Sequence, residues 1–153
     1  MQYVEAPAEV PMTGVRVFLA GGIGNCPDWQ AEAVRMLKHT DLVLLNPRRE
    51  EFNVPWTYEA SQEQITWEYK ALDEADIILF WFAGCGSVQP IALFELGVHT
   101  ARRATPLVIG VDRDYPRAND VDIQLGLSRP DLHIYRSLAF VCAEVERLAR
   151  EMS

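Results

Sequence analysis

A chain of 153 residues fits one domain and is long enough to bury a full hydrophobic core. Its composition, 49% hydrophobic and 24% charged, is ordinary for a soluble globular protein. The net charge of −8, from 14 basic and 22 acidic residues, argues against a nucleic-acid polymer as partner, because neutralising phosphates needs clustered Lys and Arg.

No apolar run approaches the ~20 residues that cross a bilayer, so no membrane partner is expected. The opening "MQYVEAPAEVPMTG" has no basic region followed by an apolar core, so it does not read as a signal peptide. It reads as a proline-punctuated lead-in over residues 1–14, with one domain over 15–153. Cys26, Cys85 and Cys142 are odd in number and widely spaced, which suits neither a disulfide framework nor a CxxC metal site. A reducing, cytoplasmic setting is the simplest expectation.

Five short β-type runs then alternate with helical ones. "VRVFLA" (15–20) leads through "GGIGNCPDWQ" into the helix-patterned "AEAVRMLKH". "DLVLLN" (41–46) leads through "PRREEFNVPWTY" into a helix around "SQEQITWEYKALDEA", where Ser61 and Gln64 have the spacing of a capping box. "DIILFWF" (76–82) passes through "AGCGSVQ" to "PIALFELGVHTARR", with Pro90 suited to the first helical turn. "PLVIGV" (106–111) enters the long connection "DYPRANDVDIQLGLSRP" (114–130), and "LHIYR" (132–136) precedes the final helix "AFVCAEVERLAREM". Near-continuous apolar strands alternating with helices predict a single α/β domain. Its five-stranded parallel sheet is covered on both faces, doubly wound and flavodoxin-like.

Ligands of such sheets gather at the carboxyl ends of the strands. Three loops with unusual chemistry leave those ends, at 21–30, 47–60 and 83–89. The first carries Gly21, Gly22 and Asp28, the second follows Asn46 and carries Arg48, and the third carries Ser87 and Gln89. Glycine-rich loops alone are weak signals: "GGIGN" is not a dinucleotide fingerprint, and "GCGSVQ" is not a P-loop.

Glu95 is the odd residue, a carboxylate after the apolar stretch 91–94. On a helix it shares a face with His99 and Arg102, which allows a plain solvent-facing polar stripe. Against that stands Gly97, which costs about 1 kcal/mol relative to Ala in a helix, so that close packing or an approaching ligand would have to require it. Glu95 also falls near the sheet's ligand edge.

"FLAGGI", "EYKALDEADIILFWF", "PIALFELGVHTA" and "PLVIGVDRDY", in that order from about Val15 to Gln124, resemble the nucleoside 2-deoxyribosyltransferase superfamily. The resemblance implies a doubly wound parallel sheet and cleavage or transfer at the N-glycosidic bond of nucleosides or nucleotides. It implies Glu95 as the nucleophile that forms a covalent glycosyl-enzyme, and Glu68 as the helical acidic residue near it. Glu68 otherwise reads as an ordinary exposed helix glutamate. Asp28 suits either a helix N-cap or a sugar hydroxyl. Trp29, Trp56 and Tyr58 either stack on a base or pack, and Asn46 and Arg48 stand where family members place base-contacting groups, although "NPRR" departs from the better-known transferases. The resemblance implies that the first loop, with Gly21 and Gly22, borders the sugar and base. Ser87 is either a turn residue or, with Gln89 and the helix start, a ligand contact able to receive a 5′-phosphate.

Three functions follow: deoxyribosyl transfer between bases, hydrolysis of a nucleoside 5′-monophosphate at the same site, and a non-catalytic nucleotide-binding domain. A receiver domain is excluded, since Gly21-Gly22 and Ala83-Gly84 stand where its acidic residues would be. Glycosyl transfer to a carboxylate needs no cofactor, and His39, His99 and His133 show no metal-ligand spacing. Family members are homo-oligomers, and the resemblance implies that Asp122 or Gln124, in the 114–130 connection, reaches a neighbouring subunit's sugar pocket.

Overall fold

The structure is a computed structural model that describes residues 1–50 and 57–152. Its sheet holds six parallel strands: β1 (Gln2–Glu5), β2 (Arg16–Gly21), β3 (Val43–Asn46), β4 (Ile77–Phe82), β5 (Leu107–Val111) and β6 (Ile134–Tyr135). The spatial order is β1-β3-β2-β4-β5-β6. The helices are α1 (Trp29–Leu37), α2 (Tyr58–Glu74), α3 (Pro90–Arg102), α4 (Ala118–Ser128) and α5 (Leu138–Met152).

From β2 onward this is the flavodoxin-like order, with one strand added at the edge. The added strand corrects the expected count of five: Gln2–Glu5, within the proline-punctuated lead-in, pairs with β3 and buries Val4. The 114–130 connection contains the helix α4. Val121 and Leu125 are buried there at i, i+4 spacing, so one side packs by helical period.

Burial follows the strand period of two. In β4, Ile78, Phe80 and Phe82 face one core with Trp67 and Leu72 of α2, Ala92 and Leu96 of α3, and Val121 and Leu125 of α4. Ile77, Leu79 and Trp81 face the opposite core, under Ala33 and Leu37 of α1 and Val141 and Val145 of α5. Each such side chain contributes ~1.5–3 kcal/mol on burial. Both faces are therefore covered, as an all-parallel sheet requires. No helix among the described residues is long and apolar enough to cross a membrane.

Helix starts are set by local chemistry. Asp28 caps α1 by accepting from Ala31 N at 3.0 Å. Thr57, not Ser61, caps α2: its Oγ1 accepts from Ala60 N, while Ser61 Oγ donates to Thr57 O. Ser61 thus lies one turn inside the helix, and the capping-box reading fails. Pro90 stands in the first turn of α3 as expected.

At the amino ends of β2 and β4, Arg16 N, Nε and Nη2 all donate to the Asp76 carboxylate at 2.9–3.1 Å. This pins the two central strands at the end away from their functional loops. At their carboxyl ends the chain crosses to opposite faces, α1 on one side and α3 on the other, which opens a crevice at the sheet's switch point.

Candidate active site

The crevice is a pocket of about 580 Å³ between α2, α3, the end of β2 and the loops that follow β2 and β4. That size suits a small organic ligand. Its polar end is built around Gln89, which is 3% exposed and adopts a left-handed backbone (φ 49°, ψ 57°) as the residue capping α3. The strain of that conformation for a non-glycine residue is offset by the side chain. Gly22 N donates to Gln89 Oε1 at 2.9 Å, and Gln89 Nε2 donates to Ala83 O at 2.9 Å. One amide thus ties the loop after β2 to the loop after β4. Gly22 has to be glycine, since a Cβ there would stand 2.5 Å from Cys26 Sγ and 2.7 Å from Gln89.

Glu68 on α2 and Glu95 on α3 line the same pocket, with apolar walls from Ile65, Tyr69, Ile91, Phe94 and Val98. The solvent-facing stripe is therefore overturned for Glu95 and His99. Of that stripe Arg102 is the member reaching water, with a 3.4 Å ion pair to Asp73. Burial, and then the charge on Glu68, push the Glu95 carboxyl up from 4.5 to about 8. Burial also raises Glu68, opposed by a hydrogen bond from Gln64 Nε2 (2.7 Å) and by the charge of Arg49. Of the two, Glu95 is therefore the carboxyl that holds a proton into the neutral range. One ionised and one protonated carboxyl is the inventory that displacement at an acetal-type carbon needs.

A sequence model of the family described as nucleoside 2-deoxyribosyltransferase like matches residues 14–115, two thirds of the chain. The chain belongs to that nucleoside 2-deoxyribosyltransferase-like family. No curated protein matches it. The family match takes in Glu68, Glu95, Gln89 and all three loops at the strand ends. It stops at Tyr115, short of Gln124, so Asp122 and Gln124 lie beyond it.

In this nucleoside 2-deoxyribosyltransferase-like pocket, Gly21, Gly22, Ser87 and Gln89 line the wall beside the two glutamates. Ser87 Oγ accepts from Gln89 N at 3.2 Å and supports the left-handed turn. Asn46 is buried behind the wall, where its Nδ2 donates to Tyr3 Oη and its Oδ1 accepts from Arg48 N. Arg48 donates to Ile23 O and Cys26 O and pairs with Asp28 at 3.5 Å. Asp28, Asn46 and Arg48 thus brace the first loop from outside the pocket lining. Trp29 is buried and donates from Nε1 to Gly22 O at 3.1 Å, so it packs. Tyr58 is exposed, and Trp56 lies outside the described residues. Asp122 accepts from Arg136 Nη2 at 2.6 Å, and neither it nor exposed Gln124 borders the pocket within one chain. A Cβ on Gly97 would meet nothing within 4 Å, so packing within the described chain does not require that glycine.

Sequence reasoning missed Gln64 and His99, both buried pocket residues. The signal was available, because each stands four positions from a candidate glutamate, Gln64 before Glu68 and His99 after Glu95. Burial and the Arg102 charge hold the His99 imidazole below its ordinary value, so it lines the pocket as a neutral group.

Proposed function

We propose that this chain breaks and re-forms the N-glycosidic bond of (deoxy)nucleosides through a glycosyl-enzyme on Glu95. The observation that carries this reading is the pair of buried carboxyl groups, Glu68 and Glu95, facing one pocket, with Glu95 held protonated more readily by burial and by the charge on Glu68. Family membership supports an enzyme acting on nucleosides and nucleoside glycosyl transfer in general.

In the reactive tautomer Glu95 is ionised and Glu68 carries the proton. As the bond from C1′ to the base nitrogen lengthens, positive charge grows on the sugar and favours the ionised form of Glu95. The Glu95 oxygen bonds to C1′, the bond electrons leave with the base, and Glu68 protonates that base. In the return step a second base, or water, attacks C1′ and gives its proton to Glu68, and Glu95 leaves with its electron pair. The apolar walls flank the flat face of a base and keep bulk water off the intermediate.

Hydrolysis of a nucleoside 5′-monophosphate is the second reading. It rests on the start of α3, which has no side-chain cap and lies beside Ser87. The nucleoside reading is favoured, because among the described lining residues Arg102 is the sole lysine or arginine, and it already pairs with Asp73. The active form is proposed to be a homo-oligomer. In support, α4 leaves Ile123 and Leu127 63% and 81% exposed beside Asp122 and Gln124.

The deciding experiment incubates the protein with a panel of nucleosides and their 5′-monophosphates, with and without a free second base, and resolves the products by chromatography. Base exchange that needs the second base supports transfer. Free sugar without it supports hydrolysis, and a phosphate preference of 100-fold or more in kcat/KM supports the monophosphate reading. No glycosidic cleavage of any substrate rejects both.

A further inference from the structure

The sequence spaces its cysteines widely, yet the fold brings two of them together. Cys26 lies in the loop after β2 and Cys85 in the loop after β4, 59 positions apart, and their Sγ atoms are 2.6 Å from each other as free thiols. That separation is little more than half an ångström beyond the ~2.05 Å of a disulfide bond. Cys142 takes no part, being buried on α5 within the core under α1 and α5.

Each cysteine is held from its own side. Arg48 Nη2 donates to Cys26 O at 3.1 Å, and the absent side chain of Gly22 leaves the space that Cys26 Sγ occupies. Gln89 Nε2 lies 3.7 Å from Cys85 Sγ. Both side chains are half-buried, which lets a small reagent reach them. The two loops they belong to also carry the polar wall of the pocket, where the Gly22–Gln89 hydrogen bond already spans them.

We propose that Cys26 and Cys85 form a reversible disulfide that fastens the two wall loops of the pocket to each other, with a low-molecular-weight disulfide of the glutathione type as oxidant. The Cys85 thiolate attacks one sulfur of the oxidant, forms a mixed disulfide and expels one thiolate. The Cys26 thiolate then attacks Cys85 Sγ, closes the protein disulfide and expels the second. The two thiol protons pass to the released thiolates, and the two electrons lost by the protein cysteines reduce the oxidant. Burial and the neighbouring thiol hold Cys26 up at about 11, so it is not the thiol that opens the exchange, and its attack relies on the 2.6 Å proximity of Cys85. Closure needs little loop movement, so oxidation secures the pocket wall in the shape it already has.

The proposal stands apart from the glycosyl-transfer reading and is tested without any activity. Wild-type protein is equilibrated in reduced and oxidised glutathione at increasing oxidising ratios, quenched with acid and alkylated. Intact mass and peptide mapping should show the loss of two hydrogens and a Cys26–Cys85 cross-link that a dithiol reverses. Amide exchange should slow in residues 22–26 and 85–88 of the oxidised protein and stay unchanged in β5. Cys26→Ser and Cys85→Ser should each carry glutathione on the remaining partner instead. A wild-type protein that accumulates glutathione adducts on Cys26 or Cys85 without the cross-link overturns the proposal. So does one that stays fully reduced with both glutathione disulfide and diamide.

Discussion

Gln64 Nε2 donates at once to Glu68 Oε1 (2.7 Å) and to Pro47 O (2.8 Å), while Gln64 Oε1 has no hydrogen-bond partner among the described residues. The side chain therefore anchors one carboxylate of the pair to the loop after β3. Its bond favours the ionised form of Glu68, and so favours Glu95 as the protonated member of the pair.

Replacing Gln64 with Leu removes that bond, and the Glu68 carboxyl rises further. The acid limb of the kcat/KM profile should move to higher pH, because the pair then takes up its second proton more readily. A hydrogen bond to a charged group is worth about 1.5–3 kcal/mol, which sets the expected shift of that limb at roughly one to two pH units. An acid limb that stays in place in the variant would remove Gln64 from the proton inventory.

Glu95→Ala and Glu95→Gln should abolish glycosidic cleavage with the fold intact by circular dichroism. A slow 2-fluoro-sugar substrate should leave its label on Glu95 of the wild type, read by peptide mass. A label on Glu68 would reverse the two roles, and near-wild-type turnover by either Glu95 variant would end the nucleophile assignment.

The same glutamate shapes stability. Its folded value, about 8, lies above its ordinary 4.5. Its contribution is thus fully present below pH 4.5 and is lost as the pH rises through 8. Glu95→Gln, which is never charged, should be more stable than wild type at pH 9 by about 1–4 kcal/mol, with the difference shrinking towards pH 5. Urea unfolding at the two pH values measures it. A stability difference independent of pH would mean that Glu95 is not held protonated by the fold.

A shared site makes a distinct forecast. Mixed after subunit exchange, inactive Glu95→Ala and inactive Asp122→Ala chains should regain part of the wild-type activity, because some pockets receive both intact residues. Full activity of Asp122→Ala alone, or a monomer by light scattering at assay concentration, defeats the cross-subunit role. The Arg136–Asp122 ion pair would then be the whole account of that aspartate.

Much of this fold was legible because its central strands are apolar on both faces, so that β2 to β5 stand out without any long-range information. The β1 strand did not, since Gln2–Glu5 buries one side chain fully and gains its place from backbone pairing with β3. Helix α4 was legible only as a helical turn, because Pro116 and Pro130 flank it, Gly126 lies within it, and its aspartate and aliphatic residues alternate at first sight. At the site, Glu95 was conspicuous as a charge among apolar neighbours, whereas Gln64 is a glutamine among polar helix residues whose partner appears only in three dimensions. The meeting of Cys26 and Cys85 depends on the β2–β4 pairing, and no spacing rule could reveal it.

The edge strand has a practical bearing on how the protein is handled. Tyr3 Oη receives Asn46 Nδ2 at 2.9 Å, Glu5 Oε1 accepts from Glu50 N, and Trp67 Nε1, one position before Glu68, donates to Ala8 O at 2.7 Å. An expression boundary trimmed to residue 14, where the family match begins, would strip all three partners. It would uncover the outer edge of β3 and leave an indole N–H of α2 unpaired beside Glu68. A purification tag is best carried at the other terminus, and any inactive truncate says more about the missing first residues than about the chemistry.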